Sequence, residues 1–251
     1  MKVTVVTQAR SNSTRLPNKV LLKIQDKTLL QIHLGRISSA KNVDEIIVAS
    51  TRNIDDDKIE NLAKRFGYKV SRGSEEDVLD RFYQAVKLTK PDYVVRLTSD
   101  CPLIDPVLLD EMIVKAKERK LDYYTNVLEE QYPDGQDIEI FTFNALEKAW
   151  KAAKLKSERE HVTSYIRNNS SYKGGKLFES DNHRLDEDFN KVRLTVDEPK
   201  DLEVIKILIQ DLGIDKDWRT YSDYYLSNNE IKKINGNIIR NEGYLKSLNE
   251  D

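Results

Sequence analysis

The chain has 251 residues, of which 33% are charged and 39% hydrophobic, and a formal net charge of −2 at pH 7. This composition excludes a largely disordered or collagen-like chain, and the near-neutral charge offers no general basic surface to nucleic acid. No apolar run approaches membrane-spanning length, and the first residues lack the apolar stretch of a secretion signal. Cys101 is the single cysteine, which suits a reducing compartment. We therefore expect a cytoplasmic protein with neither a nucleic-acid nor a membrane partner.

The first hundred residues alternate between strand-like and helix-like segments. In chain order the pattern predicts a strand at 2–7, a helix at 29–40, a strand at 45–50, a helix at 54–66, a strand at 68–71, a helix at 75–88 and a strand at 92–98. This alternation indicates right-handed βαβ units and an α/β fold with a doubly wound, mainly parallel sheet. Ligands bind such sheets beyond the carboxyl ends of the strands, so the loops after Thr7, Ser71 and Thr98 are the expected site.

Beyond residue 106 the pattern becomes mixed. We expect, in order, a helix at 106–120, strands at 122–127 and 137–143, helices at 146–154 and 158–168, a strand at 191–196 that returns to the sheet, and a helix at 199–212. The two strands at 122–127 and 137–143 flank a polar turn and predict an antiparallel excursion. The polar tail from Tyr221 predicts two short helices on the outside of the core.

Cations are concentrated in the loop after the first strand, which reads TQARSNSTRLPNK. Arg10, Arg15 and Lys19 would repel one another unless an anion lay among them, and a triphosphate supplies that anion. Hydroxyl groups of the same loop add hydrogen-bond donors, and arginine suits bidentate contact with phosphate. A solvated basic loop is the alternative. Neither the P-loop pattern nor the G-x-G-x-x-G pattern occurs, so the chain is not predicted to be a P-loop NTPase or a Rossmann dinucleotide-binding protein.

The segment QARSNSTRLPNKVLLKI resembles the signature of the family of CMP-KDO and CMP-acylneuraminate synthetases, and is most similar to the branch named after spore coat polysaccharide biosynthesis protein F. Further similar blocks follow in family order: RGSEEDVLDRF (72–82), VVRLTSDCPLID (94–105), YPDGQDIEIF (132–141), SEREHVTSYI (157–166) and RLTVDEPKDLEVI (193–205). The resemblance implies a nucleotide-diphospho-sugar transferase fold, which is a GT-A-like Rossmann fold with a mixed sheet. It also implies transfer of CMP from CTP to an acidic sugar or sugar-phosphate-like acceptor, with release of pyrophosphate, for surface polysaccharide biosynthesis.

The resemblance further implies how the chain is organised. We expect a single domain over 1–251, with a nucleotide-binding half at 1–105, an acceptor-binding and dimerisation half at 106–215 and a helical tail at 216–251. Relatives of this kind form homodimers through the antiparallel excursion, so a homodimer is expected. Two rival functions stay open: a non-catalytic nucleotide-binding protein of glycan assembly, and a GT-A-type glycosyltransferase.

Two aspartates are candidates for holding Mg²⁺. Asp100 and Asp197 each follow a predicted strand, so both are expected at the same edge of the sheet. Nucleotidyl transfer needs charge neutralisation, which Mg²⁺ on one or two carboxylates supplies. By the resemblance these residues match the family's magnesium-binding pair. The alternatives are a turn residue for Asp100 and a helix N-cap for Asp197.

By the resemblance, the region around 72–81 lies over the cytosine, although Ser74 and Asp77 also have the spacing of a helix cap. The expected catalytic residues are Arg10, Arg15, Lys19 and Asp100. The expected nucleotide contacts are Gln8, Ala9, Arg10, Ser13, Thr14, Arg15, Lys19, Arg72, Ser74, Asp77, Arg81 and Thr98.

Polar residues in the second half are the acceptor candidates. They are Asp134, Asp137, Glu139, Arg159 and His161. A carboxylate or the neutral histidine can take a proton from an attacking hydroxyl, whereas a phosphate acceptor is already ionised and needs no strong base. An exposed helix face and a structural histidine are the alternatives, and Cys101 is predicted to be a packing residue.

Overall fold

The computed structural model describes residues 1–240. Nine strands are present within this part of the chain: β1 (Val3–Gln8), β2 (Lys23–Ile24), β3 (Lys27–Thr28), β4 (Glu45–Thr51), β5 (Lys69–Gly73), β6 (Tyr93–Thr98), β7 (Tyr123–Thr125), β8 (Glu139–Thr142) and β9 (Ser180–Asn182). β2 and β3 form a separate hairpin, and the other seven strands form one sheet in the order β5-β4-β1-β6-β8-β7-β9. β5, β4, β1 and β6 are parallel, β8 is antiparallel to both β6 and β7, and β9 is parallel to β7. The predicted mixed, mainly parallel sheet with an antiparallel excursion is confirmed.

Helices cover both faces of this sheet. Their bounds are α1 (Leu29–Ser38), α2 (Asp57–Arg65), α3 (Val78–Val86), α4 (Pro106–Arg119), α5 (Phe143–Ala152), α6 (Lys156–Glu160), α7 (Ser164–Asn168), α8 (Pro199–Leu212), α9 (Trp218–Ser227) and α10 (Asn229–Asn235). Successive side chains of a strand point to opposite faces, and β6 follows this rule. Tyr93, Val95 and Leu97 pack into the main core with α4 and α8, whereas Val94 packs into a second core with α3 and α5. No helix within residues 1–240 is both long and apolar enough to cross a membrane.

The order of the strands determines where a site can form. After β1 the chain runs outward through β4 and β5 and then returns to β6 on the opposite side of β1. The loops that follow β1 (9–18) and β6 (99–105) therefore diverge at the carboxyl ends of two neighbouring strands. This is the crevice in which doubly wound sheets bind ligands.

The segment 191–196 is not the predicted strand. It forms a single bridge, between Arg193 and Asp134, and otherwise pairs with loops: Leu194 N–H donates to the Asp134 carbonyl at 2.7 Å and Val196 N–H to the Asp100 carbonyl at 2.8 Å. Gly135 permits this approach, because it has φ 108° and a Cβ there would lie 2.7 Å from the Leu194 backbone. The seventh strand is instead β9, whose polar sequence SDN gave no strand signal.

Two helix predictions are also corrected. The helix expected at 158–168 is two short helices, α6 and α7, which are separated where Val162 adopts φ 54°. The tail does form two helices, α9 and α10, but they do not lie outside the core: Tyr221, Tyr225 and Ile231 are buried in it. The part of the predicted tail beyond residue 240 lies outside the described residues.

Candidate active site

The loop after β1 is fixed by a buried aspartate that the sequence did not mark. Asp56 is 1% exposed and accepts hydrogen bonds from Ser11 N–H at 2.7 Å, Ser11 Oγ at 2.6 Å and Thr51 Oγ1 at 2.5 Å. Burial acts to raise the pKa of Asp56, but these hydrogen bonds outweigh it and hold the pKa below its ordinary value. Asp56 thus ties the loop to the end of β4 and leaves the cationic side chains of the loop facing outward.

These side chains line a cleft of about 1060 Å³, which we call the large cleft. A volume of this size accommodates a nucleotide. All but two of the predicted nucleotide contacts line it, together with residues of α3 and α6: Gln8, Ala9, Arg10, Ser13, Thr14, Arg15, Lys19, Asp77, Arg81 and Thr98. The structure therefore brings the loop after β1 and the start of α3 together around one space.

The two predicted contacts outside the large cleft are Arg72 and Ser74. The guanidinium of Arg72 is used on the outer side of β5, where it donates to Glu60 at 2.8 Å and to the Thr51 and Asn53 carbonyls at 2.6 Å. Ser74 Oγ accepts from Asp77 N–H at 3.0 Å, so it caps the approach to α3. Neither side chain lines the large cleft, and both are engaged by hydrogen bonds within the protein.

Arg81 is a buried cation at the wall of the large cleft. Its Nη1 donates a hydrogen bond to the Ser74 carbonyl at 2.8 Å. Its Nε is buried and has no hydrogen-bond partner. Burial, followed by the charge of Arg10, lowers the pKa of Arg81 to about 10. Gln8 adds a buried side-chain oxygen that also has no partner. Unpaired polar atoms of this kind are costly unless a ligand satisfies them.

The acidic pair, Asp100 and Asp197, converges on one ammonium group. Lys19 Nζ lies 2.6 Å from Asp100 Oδ2 and 2.7 Å from Asp197 Oδ1, and its side chain is 12% exposed. Burial acts to lower the pKa of Lys19, but the two carboxylates outweigh it and raise the pKa, while Lys19 in turn holds the pKa of Asp100 well below its ordinary value. The predicted strand-end aspartates are therefore neighbours.

Arg193, which was not among the predicted site residues, positions Asp197 of the acidic pair. Its Nε and Nη2 bind both oxygens of Asp201 at 2.9 and 3.0 Å, its Nη2 reaches Asp197 at 3.3 Å and its Nη1 reaches Asp134 at 2.5 Å. Asn235 of α10 donates to Asp201 Oδ1 at 3.0 Å. The C-terminal helices thus support the carboxylates from behind.

A smaller cavity of about 180 Å³, the inner cavity, lies beyond the acidic pair. Of the predicted acceptor residues, Asp134, Asp137, Glu139 and His161 line it. Arg159 does not: it lines the large cleft, where its Nε donates to Asp77 at 3.1 Å. The two spaces meet, because both are lined by Arg96, Thr98, Asp100, His161 and Asp197.

Glu139 is at the floor of the inner cavity but is fully engaged within the protein. It is 2% exposed and accepts hydrogen bonds from Tyr123 OH at 2.7 Å and Thr163 Oγ1 at 2.6 Å, and it pairs with Arg96 and with Arg167 at 3.6 Å. Burial acts to raise the pKa of Glu139, but the two arginines outweigh it and lower the pKa. Glu139 therefore holds Arg96 and Arg167 in place at the lining of the inner cavity.

Comparison with known proteins decides the family. The family profile described as cytidylyltransferase matches residues 4–233. The chain belongs to the cytidylyltransferase family. It is 36% identical over 213 residues to spore coat polysaccharide biosynthesis protein SpsF of Bacillus subtilis, an alignment that covers 83% of this chain and 86% of that protein. A solved cytidylyltransferase of Leptospira borgpetersenii is also 36% identical, with a TM-score of 0.85 over 92% of this chain and 96% of that one.

A more distant solved structure confirms the predicted fold. CMP:2-keto-3-deoxy-manno-octonic acid synthetase, determined in complex with CTP, has a TM-score of 0.62 at 20% identity, over 84% of this chain and 99% of that one. At this identity the likeness establishes the common fold. The predicted resemblance to both the SpsF branch and the CMP-KDO synthetases is therefore confirmed.

The acidic pair of this cytidylyltransferase fits a metal that arrives with a nucleotide. Within residues 1–240 no group of three or more His, Cys, Asp or Glu side chains is arranged to hold a metal ion. Asp100 and Asp197 nevertheless bring two carboxylate oxygens to within reach of one small cation. Mg²⁺ commonly takes one or two carboxylates and completes its shell with substrate phosphates and water.

Two further groups near the site of this cytidylyltransferase are structural. Cys101 is buried, and burial followed by the charge of Asp100 raises the pKa of its thiol well above the ordinary value, which agrees with the predicted packing role. His33 is buried between Thr7 Oγ1, at 2.9 Å, and the Cys101 carbonyl, at 2.8 Å. It joins the end of β1 to the loop after β6.

Proposed function

We propose that this cytidylyltransferase transfers CMP from CTP to a small acidic or phosphorylated acceptor and releases pyrophosphate. The observation that carries the proposal is the junction of the two spaces. A cleft walled by cations leads, past Asp100 and Asp197, into a separate cavity with arginines on its floor. A reaction that joins a nucleotide to a second small molecule needs this arrangement, because both substrates must meet at one phosphorus atom.

On the nucleotide side, Arg10 and Arg15 hold the triphosphate and Lys19 contacts it. Arg81 and Asp77 lie toward the base. Asp100 and Asp197 hold Mg²⁺, which when bound neutralises charge on the reacting phosphates. The relatives support this choice of substrate, since the solved synthetase of the same fold was determined with CTP.

On the acceptor side, an oxygen of the acceptor attacks the α-phosphorus from the inner cavity. A bond forms between that oxygen and the α-phosphorus while the bond from the α-phosphorus to the α,β-bridging oxygen breaks, and pyrophosphate leaves toward the large cleft. His161 lines both spaces, and burial followed by the charge of Arg96 lowers its pKa, so it is neutral at pH 7. It takes the proton of a hydroxyl acceptor, whereas a phosphate acceptor is already ionised.

Arg96 and Arg167 select the acceptor. Both guanidiniums line the inner cavity beside the carboxylate of Glu139. Each can offer charged N–H donors to a carboxylate or phosphate oxygen, and such hydrogen bonds are stronger than neutral ones. The two arginines therefore favour an acceptor that carries a carboxylate or phosphate group, while Asp134 and Asp137 on the wall accept hydrogen bonds from its hydroxyls.

The wider setting follows from the substrate and the relatives. We place the activity in the cytoplasm, where CTP is available, and in the supply of activated sugars for surface polysaccharide, as the name of the SpsF relative suggests. We also propose a homodimer. β7 and β8 are internal strands of the sheet, so dimerisation through this region would use the exposed connection around Glu129 and Glu130 rather than a strand edge.

The first test is pyrophosphate release by the purified enzyme with Mg²⁺, each of CTP, UTP, ATP and GTP, and a panel of sugar acids and sugar phosphates. Release with CTP and an anionic acceptor, together with a melting temperature raised by Mg²⁺ and CTP, would support the proposal. A CTP-dependent rise in melting temperature without release across the panel would favour the non-catalytic alternative. Hydrolysis or transfer of an intact UDP- or GDP-sugar would indicate a glycosyltransferase.

A further inference from the structure

Lys19 places its ammonium group where two metal-binding carboxylates point. Its Nζ bridges Asp100 and Asp197 at 2.6 and 2.7 Å, and these are the oxygens that would contact a divalent cation. One position between the carboxylates cannot hold both a lysine ammonium and a metal ion. We infer that Lys19 occupies the metal position in the nucleotide-free enzyme, and that the triphosphate must draw it away before the metal can bind.

In the nucleotide-free enzyme, the ammonium of Lys19 offsets negative charge on both Asp100 and Asp197. The side chains of Lys19, Asp100 and Asp197 are 12, 22 and 24% exposed, so water screens their attraction only in part. A metal ion that arrives alone must displace a well-paired ammonium and leave it without an anion. Displacing the lysine alone therefore carries a large electrostatic cost.

A triphosphate removes this cost because it offers Lys19 new partners. Lys19 lines the large cleft together with Arg10 and Arg15, on the side where the phosphates would lie. Its flexible four-carbon stem allows the ammonium to turn from the carboxylates to a phosphate oxygen without movement of the backbone. The same phosphates supply the metal ligands that Asp100 and Asp197 do not provide.

Metal and nucleotide therefore strengthen each other's binding, and Lys19 determines the size of this coupling. In the absence of nucleotide, the lysine blocks the metal. When the triphosphate is present, the lysine and the metal both contact it. The exclusion of metal by Lys19 rests on the metal role proposed for Asp100 and Asp197, and the coupling to CTP rests in addition on the proposed nucleotide.

The test uses Mn²⁺ as a paramagnetic probe, with free Mn²⁺ measured by electron paramagnetic resonance during titration of the full chain without nucleotide. Lys19→Met and Lys19→Gln remove the ammonium, and Lys23→Gln removes an exposed lysine of the neighbouring hairpin as the matched control. We expect both Lys19 variants to bind Mn²⁺ about tenfold more tightly than the wild type, and the control to match the wild type. Mn²⁺ affinity in Lys19→Gln no higher than in the wild type would overturn the inference.

Loss of the ammonium removes the partner that Asp100 and Asp197 share, and leaves Asp197 with Arg15 and Arg193, so Lys19→Met is expected to melt at a lower temperature and to recover when Mn²⁺ is added. If Lys19→Met does not fold, the less disruptive Lys19→Gln carries the comparison. A second titration with CTP present tests the coupling. We expect CTP to tighten Mn²⁺ binding about tenfold or more in the wild type and much less in Lys19→Gln. Equal tightening in both proteins would refute the coupling by Lys19.

The two proposals fail in different ways. If CTP neither binds nor tightens Mn²⁺ binding in the wild type, the proposed function fails, while the nucleotide-free comparison of Lys19→Gln with the wild type still decides whether the lysine excludes the metal. If CTP binds and supports turnover but the Lys19 variants do not gain Mn²⁺ affinity, only the role assigned to Lys19 is refuted.

Discussion

The large cleft and the inner cavity are adjacent but built in different ways. Part of the cleft wall comes from one continuous loop, 9–18, which Asp56 holds, and its cations Arg10 and Arg15 pair near the surface with Glu75 at 3.5 Å and Asp197 at 3.1 Å. The cavity collects side chains from strands and helices far apart in the chain, and its charges are largely paired with one another. An open cationic loop suits a substrate that many enzymes share, whereas a closed, paired cavity suits discrimination among acceptors. Substitutions in the large cleft and in the inner cavity should therefore have different effects on the two substrates.

Asp100 borders both spaces, so its loss should damage both. We expect Asp100→Asn to lower kcat about a thousandfold, because the amide keeps the shape of the side chain but removes the charge that holds the metal. The measurement is pyrophosphate release with Mg²⁺, CTP and whichever acceptor supports turnover in the wild type. A reduction of less than tenfold would mean that Asp100 does not hold the metal.

Arg10 and Arg167 should separate the two substrates. Arg10→Gln should weaken CTP binding by about 10- to 100-fold with little change in the KM for the acceptor, and Arg167→Gln should do the reverse, because each removes a charge-assisted contact to one substrate. Calorimetry with CTP and steady-state kinetics with the acceptor measure the two effects. If both variants raise both constants equally, the two spaces are not separate subsites.

His33, which joins the end of β1 to the loop after β6, should make stability depend on pH. Burial lowers its pKa to about 4 in the folded protein, against about 6.5 in the unfolded chain, so its contribution is fully present above pH 6.5 and is lost as the pH falls toward 4. The free energy of unfolding should fall by roughly 2 kcal/mol from this group between pH 7 and 5. In His33→Gln this pH-dependent fall in the free energy of unfolding should disappear.

Urea denaturation across pH 4.5–7.5 gives the comparison for His33. Because burial also lowers the pKa of His183 to about 4, the variant should keep some of the pH dependence. An unchanged slope in His33→Gln would show that the histidine is not held neutral in the folded state.

Arg72 should have the smallest effect on function. Since its donors bind Thr51, Asn53 and Glu60 on the outer side of β5, Arg72→Gln should leave the Kd for CTP within about twofold and cost about 1 kcal/mol of stability, a fall in melting temperature of roughly 2–4 °C. A tenfold loss of CTP affinity at unchanged stability would show instead that Arg72 contacts the nucleotide.

The cleft was largely predictable because its chemistry is local. The loop after β1 carries its cations in consecutive residues, and the rule for strand ends places Asp100 beside it. The position of Arg72 outside the large cleft was not predictable, because the acidic residues of α2 that bind it, such as Glu60, approach only in the folded protein. Strand position gave no sign of which groups would neutralise it.

The inner cavity was harder to predict because its contacts join distant segments. Arg96 lies within an apolar strand, but its partner Glu139 is 43 residues away, and Arg167 comes from a helix after the break at Val162. Segment 191–196 has the composition of a strand, yet the close approach that Gly135 permits makes it pair with loops. Residue type and periodicity reveal neither the pairing of Arg96 and Arg167 with Glu139 nor the pairing of segment 191–196 with loops.

The support of Arg193 and Asp201 by Asn235 has a consequence during synthesis of the chain. A nascent chain leaves the ribosome from its N-terminus, so the loop after β1 is available long before α10 is made. Lys19 and Asp197 are separated by 178 residues, and contacts of such separation form late because the intervening loop must first be closed. In terms of the proposed function, a partly synthesised chain presents the cationic loop before Asp197 and its supporting residues exist, so CMP transfer would begin only after α10 has docked.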